Sequence, residues 1–115
     1  MGKSTQAVTA YYDAIGERNA ARIRATLSEK FTFRGPMMSF DEPESFVKAM
    51  VGMPFVAATS NSRFIVDGDQ VAHVYLWKMS APAKADIPMC EVLTVAGGKI
   101  LRSELFFDSK LIPAA

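Results

Sequence analysis

The chain has 115 residues, of which 50% are hydrophobic and 22% charged, with 13 lysines and arginines against 12 acidic residues and a formal net charge of +1. That length allows one packed domain and argues against two, because half-length units would be marginal without staples. The near-neutral balance lacks the footprint of a general nucleic-acid binder, and a single cysteine (Cys90) with a single histidine (His73) excludes a disulfide framework, a multi-cysteine zinc site and an all-histidine metal site within the chain.

The first half reads as helical. Val8, Tyr11, Tyr12 and Ile15 share one stripe of a helix that Ser4 or Thr5 can cap. Gly16 to Asn19 weakens it, and Asn19 can cap a second short helix carrying Ile23 and Leu27. Phe31 to Arg34 predicts a short strand, stopped by Gly35-Pro36. A third helix starts where Asp41-x-x-Glu44 resembles a capping box with Pro43 in the first turn, and it carries Phe46, Val47 and Met50 to Gly52 and Pro54.

After residue 60 the pattern changes to two hairpins. Arg63 to Val66 and Val71 to Met79 flank a turn at Gly68-Asp69; Met89 to Ala96 and Lys99 to Phe107 flank Gly97-Gly98. Uninterrupted pairing from these turns puts Cys90, Val92, Thr94, Leu101, Ser103 and Leu105 on one face, continued by Arg63, Ile65, Ala72, Val74 and Leu76. The other face carries Phe64, Val66, His73, Tyr75, Trp77, Met89, Glu91, Leu93, Arg102, Glu104 and Phe106. Neither is solvent-like, and the helices can cover only one. The aromatic His73-Tyr75-Trp77 strip is therefore assigned to a second subunit, giving an expected homodimer interface of His73, Tyr75, Trp77, Glu91, Arg102, Glu104 and Phe106.

This order of elements resembles the nuclear-transport-factor-2-like superfamily, in its SnoaL-like and ketosteroid-isomerase-like branch. The residues carrying the resemblance are Ala10-Tyr11-Tyr12-Asp13-Ala14-Ile15, Asn19-Ala20-Ala21-Arg22-Ile23, Leu27 through Pro36, and Gly98-Lys99-Ile100 with Leu105-Phe106-Phe107-Asp108. It implies one α+β domain, a cystatin-like, cone-shaped roll whose curved antiparallel sheet wraps around N-terminal helices and leaves an apolar pocket. It also implies dimers formed through the outer sheet face.

In ketosteroid isomerase an aspartate base moves a proton while a tyrosine and a protonated aspartic acid stabilise the oxyanion. Matched onto that pattern, Tyr11 falls at the tyrosine, Gly35 at the base and Thr94 near the second acid. Two of the three groups are then absent. Tyr11 remains either a donor to a ligand oxygen or a core aromatic.

Asp41, Glu42 and Glu44 are the nearest carboxylates to the vacant base position, with helix capping as the simpler account. Glu91 and Glu104, placed opposite each other beside Arg102, are expected to form a charge network at the dimer face; paired carboxyls that share a proton are the catalytic alternative. His73 reads as an interface histidine, or as a base if it points into the cone. Cys90 is expected to be apolar filler. Arg63 either fixes a ligand oxygen or reaches solvent. Met37, Met38, Met50 and Met53 cluster around the third helix.

The expected pocket lining is Tyr11, Phe33, Phe46, Met50, Arg63, Ile65, Val74, Leu76, Val92, Thr94, Ser103, Leu105 and Phe107. The expected ligand is a small hydrophobic molecule. The two expected activities are a cofactor-independent isomerisation, dehydration or cyclisation with Tyr11 polarising a carbonyl, or non-catalytic binding of a ligand or protein. No metal, cofactor, nucleic acid or membrane is expected. Met-Gly-Lys-Ser-Thr-Gln lacks a signal-peptide core, and no run reaches the ~18 apolar residues of a membrane span, so the expected setting is cytoplasmic.

Overall fold

The structure is a computed structural model that describes residues 2–113. Three helices, α1 (Lys3–Glu17), α2 (Ala20–Ala25) and α3 (Pro43–Val51), pack against one six-stranded sheet. The strands are β1 (Leu27–Arg34), β2 (Ser39–Phe40), β3 (Val56–Asp67), β4 (Gln70–Ala81), β5 (Ala85–Ala96) and β6 (Lys99–Phe106), arranged β2-β1-β6-β5-β4-β3. All neighbours are antiparallel except β1 and β6, which run parallel because the chain passes through α3, β3, β4 and β5 between them.

The helical stripe forms as expected: Val8, Tyr11 and Ala14 are buried, with Tyr12 and Ile15 half-buried beside them. They meet Ile23, Leu27, Phe31, Phe33, Phe46, Val47 and Met50 in the main core. Asn19 caps α2, its side chain accepting from the Arg22 N–H at 3.1 Å. The other caps differ from expectation. α1 starts after Gly2 without a side-chain cap, and Ser4 instead donates to the Gly68 carbonyl at 3.0 Å, tying α1 to the β3–β4 turn. Pro43 does open α3, but its N-cap is Glu42 and no capping box forms. Asp41 pairs with Arg34 at 2.6 Å and Glu44 with Arg24 at 2.8 Å, ion pairs with strongly basic partners from other elements.

The first hairpin keeps the expected register, Asp67 opposite Gln70 through Arg63 opposite Val74, around Gly68 at φ +60°. The second departs from it. Ala96 pairs with Lys99 and Val95 with Ile100, but a β-bulge then makes Leu101 an extra residue, so that Thr94 faces Arg102, Leu93 faces Ser103 and Glu91 faces Leu105. Half of the expected inner face is thereby corrected. Ser103 and Leu105 do turn toward the helices, but in company with Met89, Glu91 and Leu93 rather than Cys90, Val92 and Thr94.

Across β4 the same correction holds. His73 is 2% and Tyr75 7% exposed, both under α1, whereas Ile65 is 58% exposed on the opposite side. The aromatic strip is thus the inner face because α1 brings Tyr12 edge-on to His73 at 4.6 Å and to Tyr75 at 6.3 Å. Of the residues expected at a dimer face, His73, Tyr75, Trp77 and Glu91 point inward. Arg102, Glu104 and Phe106 point outward, with Arg102 and Glu104 3.9 Å apart.

Candidate functional site

A cavity of about 470 Å³ lies between α1, α3 and the inner face of the sheet. Its walls are largely aromatic and thioether: Phe33, Phe46, Phe55, Tyr75, Trp77 and Phe107, with Met37, Met38, Met50, Met53 and Met89. Met37 and Met38 are exposed at the rim, and Ile112 of the C-terminal segment closes part of the wall. Arg18, left-handed at the end of α1, donates to the carbonyls of Met53 and Phe55 and so ties α1 to that stretch of the rim. The only ionisable side chains in the lining besides tyrosines are Asp13 and Glu91; among the described residues no lysine, arginine or histidine reaches it.

Glu91 is the buried carboxyl of the site among the described residues. It is 4% exposed and lies where α1 crosses β5 and β6. Consecutive tyrosines on α1 straddle its carboxyl group. The Tyr11 hydroxyl donates to Oε2 at 3.0 Å and that of Tyr12 to Oε1 at 2.6 Å, while the Ser103 hydroxyl, brought alongside by the Leu101 bulge, donates to Oε2. Burial raises the Glu91 pKa above the ordinary carboxyl range, against the lowering effect of the three hydroxyl donors. Burial and the neighbouring carboxylate push the Tyr11 and Tyr12 pKa values up as well, so both tyrosines stay neutral donors. The result is a buried carboxyl held by three hydroxyl donors in a largely apolar wall.

His73 sits directly opposite Glu91 on β4 but outside the cavity. Its ring stacks between Phe64 at 4.5 Å and Tyr75 at 4.2 Å, and Nε2 meets the Ser62 hydroxyl at 2.9 Å. Nδ1 is buried without a partner. Desolvation lowers the His73 pKa to about 4, leaving the imidazole neutral.

Among the residues expected to line a pocket, Tyr11, Phe33, Phe46, Met50, Leu105 and Phe107 line this cavity, and Ser103 backs it through Glu91. Arg63, Ile65, Val74, Leu76, Val92 and Thr94 lie outside its lining. Gly35, where the base position falls, is in the lining; Thr94, near which the second acid position falls, is not, and the lining's buried carboxyl is Glu91. Asp41, Glu42 and Glu44 stay on the exposed surface. Missed by sequence reasoning were the inward direction of Glu91 and the part played by Tyr12. The signal available for both was the Tyr11-Tyr12 pair itself, since each hydroxyl on a buried stripe needs a hydrogen-bond partner and Glu91 is an acceptor with two oxygens. No three histidine, cysteine, aspartate or glutamate side chains gather as a metal-ligand group among the described residues.

The sequence matches the SnoaL-like domain family over residues 8–103. Among curated proteins none matches significantly. Solved structures share the fold. An NTF2-like protein of unknown function from Cytophaga hutchinsonii is 22% identical, with a TM-score of 0.79 over 93% of this chain and 91% of that one. Another from Burkholderia pseudomallei is 18% identical, with a TM-score of 0.82 over 99% and 100%. An LEH-like epoxide hydrolase from M. tuberculosis is 17% identical, with a TM-score of 0.79 over 95% and 85%. With the family match spanning most of its length and the same α+β architecture of helices over a curved, unclosed sheet, the chain belongs to the SnoaL-like family and has the NTF2-like fold.

Proposed function

We propose that the cavity binds a small, largely apolar, uncharged molecule bearing a carbonyl oxygen, and that Glu91 moves a proton on it without a cofactor. The observation carrying this reading is a buried carboxyl in the cavity wall with three hydroxyl donors on its two oxygens. When Glu91 is protonated, its O–H has no acceptor in that set unless a hydroxyl turns around, so a ligand oxygen in the cavity is its natural partner. As the carboxylate, Glu91 takes an α-proton from the ligand, the C–H electron pair moving into an enolate, and then returns a proton to that carbon; Tyr11 and Tyr12 steady the carboxylate or donate to the enolate oxygen, in a setting where such bonds count for more than in water. An anionic ligand is disfavoured, because the lining holds two carboxyl groups and, among the described residues, no basic side chain. The isomerase, lyase or cyclase class fits this proton transfer. A reducing, cytoplasmic setting fits the free Cys90.

One observation favours binding without catalysis: all three hydroxyls are already directed at Glu91, as in a closed structural network. The test uses 2-tetralone, a bicyclic ketone with exchangeable α-hydrogens. Trp77 is the only tryptophan and lines the cavity, so its fluorescence reports occupancy. In D2O the protein is expected to accelerate α-hydrogen exchange of the bound ketone, and Glu91→Gln to reduce that acceleration by about 100-fold or more. Binding with exchange no faster than in buffer assigns the protein to the non-catalytic reading.

A further inference from the structure

We propose, resting on the reading of the cavity as a ligand site, that Met37 and Met38 form a peroxide-sensitive gate: oxidation of their thioethers to sulfoxides excludes the apolar ligand, and reduction readmits it. The four consecutive residues Gly35, Pro36, Met37 and Met38, which join β1 to β2, all belong to the cavity lining. At the rim Met37 is 54% and Met38 37% exposed, whereas Met50, Met79 and Met89 are buried and Met53 is half-buried. Among the described residues these two are therefore the methionines that a dissolved oxidant reaches first.

The segment that carries them is held at both ends. The Gly35 N–H donates to the Met38 carbonyl at 3.0 Å. Arg34 donates to the Phe40 carbonyl at 3.1 Å and pairs with Asp41 at 2.6 Å, which braces β1 against β2 beside the turn. Oxidation here alters two side chains on a fixed backbone. Met50 differs, because it belongs to the main core, where an added oxygen would disturb the packing.

The oxidant is a peroxide. A sulfur lone pair attacks one peroxide oxygen, the O–O bond breaks, an S–O bond forms, and hydrogen peroxide is reduced to water. Two thiols reverse the step, giving the thioether, a disulfide and water. The sulfoxide replaces a flexible apolar side chain with a polar one. Among the described residues no basic side chain of the lining is there to receive its oxygen. An apolar ligand seated against that oxygen strips it of water and returns no hydrogen bond, which opposes binding. As thioethers the same side chains are soft and adapt to the ligand's shape.

Cys90 is a second target for peroxide but lies outside the lining, so the test uses a Cys90→Ser background. The protein is treated with hydrogen peroxide and its sulfoxides are located by peptide mass spectrometry. Binding is followed with 2-tetralone through Trp77, and with N-phenyl-1-naphthylamine, an uncharged apolar fluorophore that needs the cavity but not Glu91. Sulfoxides are expected at Met37 and Met38 before Met50, Met53, Met79 and Met89, with an about fivefold or larger loss of affinity for both probes. Methionine sulfoxide reductases A and B, which together reduce both epimers, should restore it. Met37→Leu/Met38→Leu is compared with itself before and after treatment, and its affinity should not respond to peroxide. Unchanged affinity with both rim sulfoxides formed, an equal loss in the doubly substituted variant, or earlier oxidation of the buried methionines overturns the gate. A protein that never binds 2-tetralone but loses the fluorophore on oxidation keeps the gate and removes the ketone from the proposed function. Binding of neither probe overturns both.

Discussion

His73 and Glu91 face each other across β4 and β5, both buried under α1, and no hydrogen bond joins them. Burial pushes the pKa of the acid up and that of the base down, in each case against the charged form. Tyr12 bridges them, donating to Glu91 through its hydroxyl and meeting His73 edge-on with its ring.

The two groups should bend the stability–pH curve in opposite directions. The His73 pKa is depressed from 6.5 to about 4, so between those values the unfolded chain binds more protons and stability rises with pH. The pKa of Glu91 is raised above 4.5, so from that value upward the native state holds the extra proton and stability falls as pH rises. Thermal melts from pH 4 to 8 check this: His73→Phe should leave only the falling branch, and Glu91→Gln only the rising one. A variant that merely displaces the curve without changing its slope would count against that group's burial.

Deleting the acceptor differs from neutralising it. Glu91→Ala leaves the hydroxyls of Tyr11, Tyr12 and Ser103 without their common partner, at a cost of about 1–3 kcal/mol for each that finds no water. Glu91→Gln keeps an acceptor oxygen and the volume. Urea unfolding should therefore rank the wild type above Glu91→Gln, and Glu91→Gln well above Glu91→Ala.

How much of this was legible in the sequence differs from element to element. The α1 stripe, the Asn19 cap and the Gly68-Asp69 turn follow from local chemistry that the rest of the molecule does not overrule. Asp41 and Glu44 fit a capping box locally, but Arg34 and Arg24 offer charged partners that no local rule weighs. The site was misread for two reasons. Nothing between Gly98 and Ser103 announces that Leu101 is extra, and one extra residue exchanges the faces of a strand. In β4 the pairing was right and the choice of face was not, because Val74 and Leu76 are as apolar as the strip that includes His73. Only the position of α1 decides between them.

The two tyrosines should separate in their effects. Tyr11 is 1% exposed and stacks 6.1 Å from Phe46 in the main core, so Tyr11→Phe keeps the packing and loses one hydrogen bond, about 1 kcal/mol. Tyr12 makes the shorter contact with Glu91 and also covers His73, so Tyr12→Phe should produce the larger change in the pH dependence of 2-tetralone exchange. Removing either donor takes away a lowering influence on Glu91, and the pH midpoint of exchange should move upward. A midpoint indifferent to both changes would assign the proton transfer to another group.

Gly35 provides a test of the cavity that leaves its polar end untouched. A Cβ added there would lie 3.1 Å from Cε2 of Phe33 and 3.4 Å from the Met38 carbonyl, and Phe33 is part of the cavity wall. Gly35 has no left-handed backbone to strain, so the methyl acts through space alone. Gly35→Ala should push the Phe33 ring into the cavity at a cost below about 1.5 kcal/mol in stability, as small overpacking changes do. Because the ring occupies space that a ligand would otherwise fill, binding of 2-tetralone followed by Trp77 fluorescence should weaken several-fold, while the pH midpoint set by Glu91 stays in place. Unchanged affinity would mean that the ligand sits away from the Phe33 wall, toward Phe55 and Phe107.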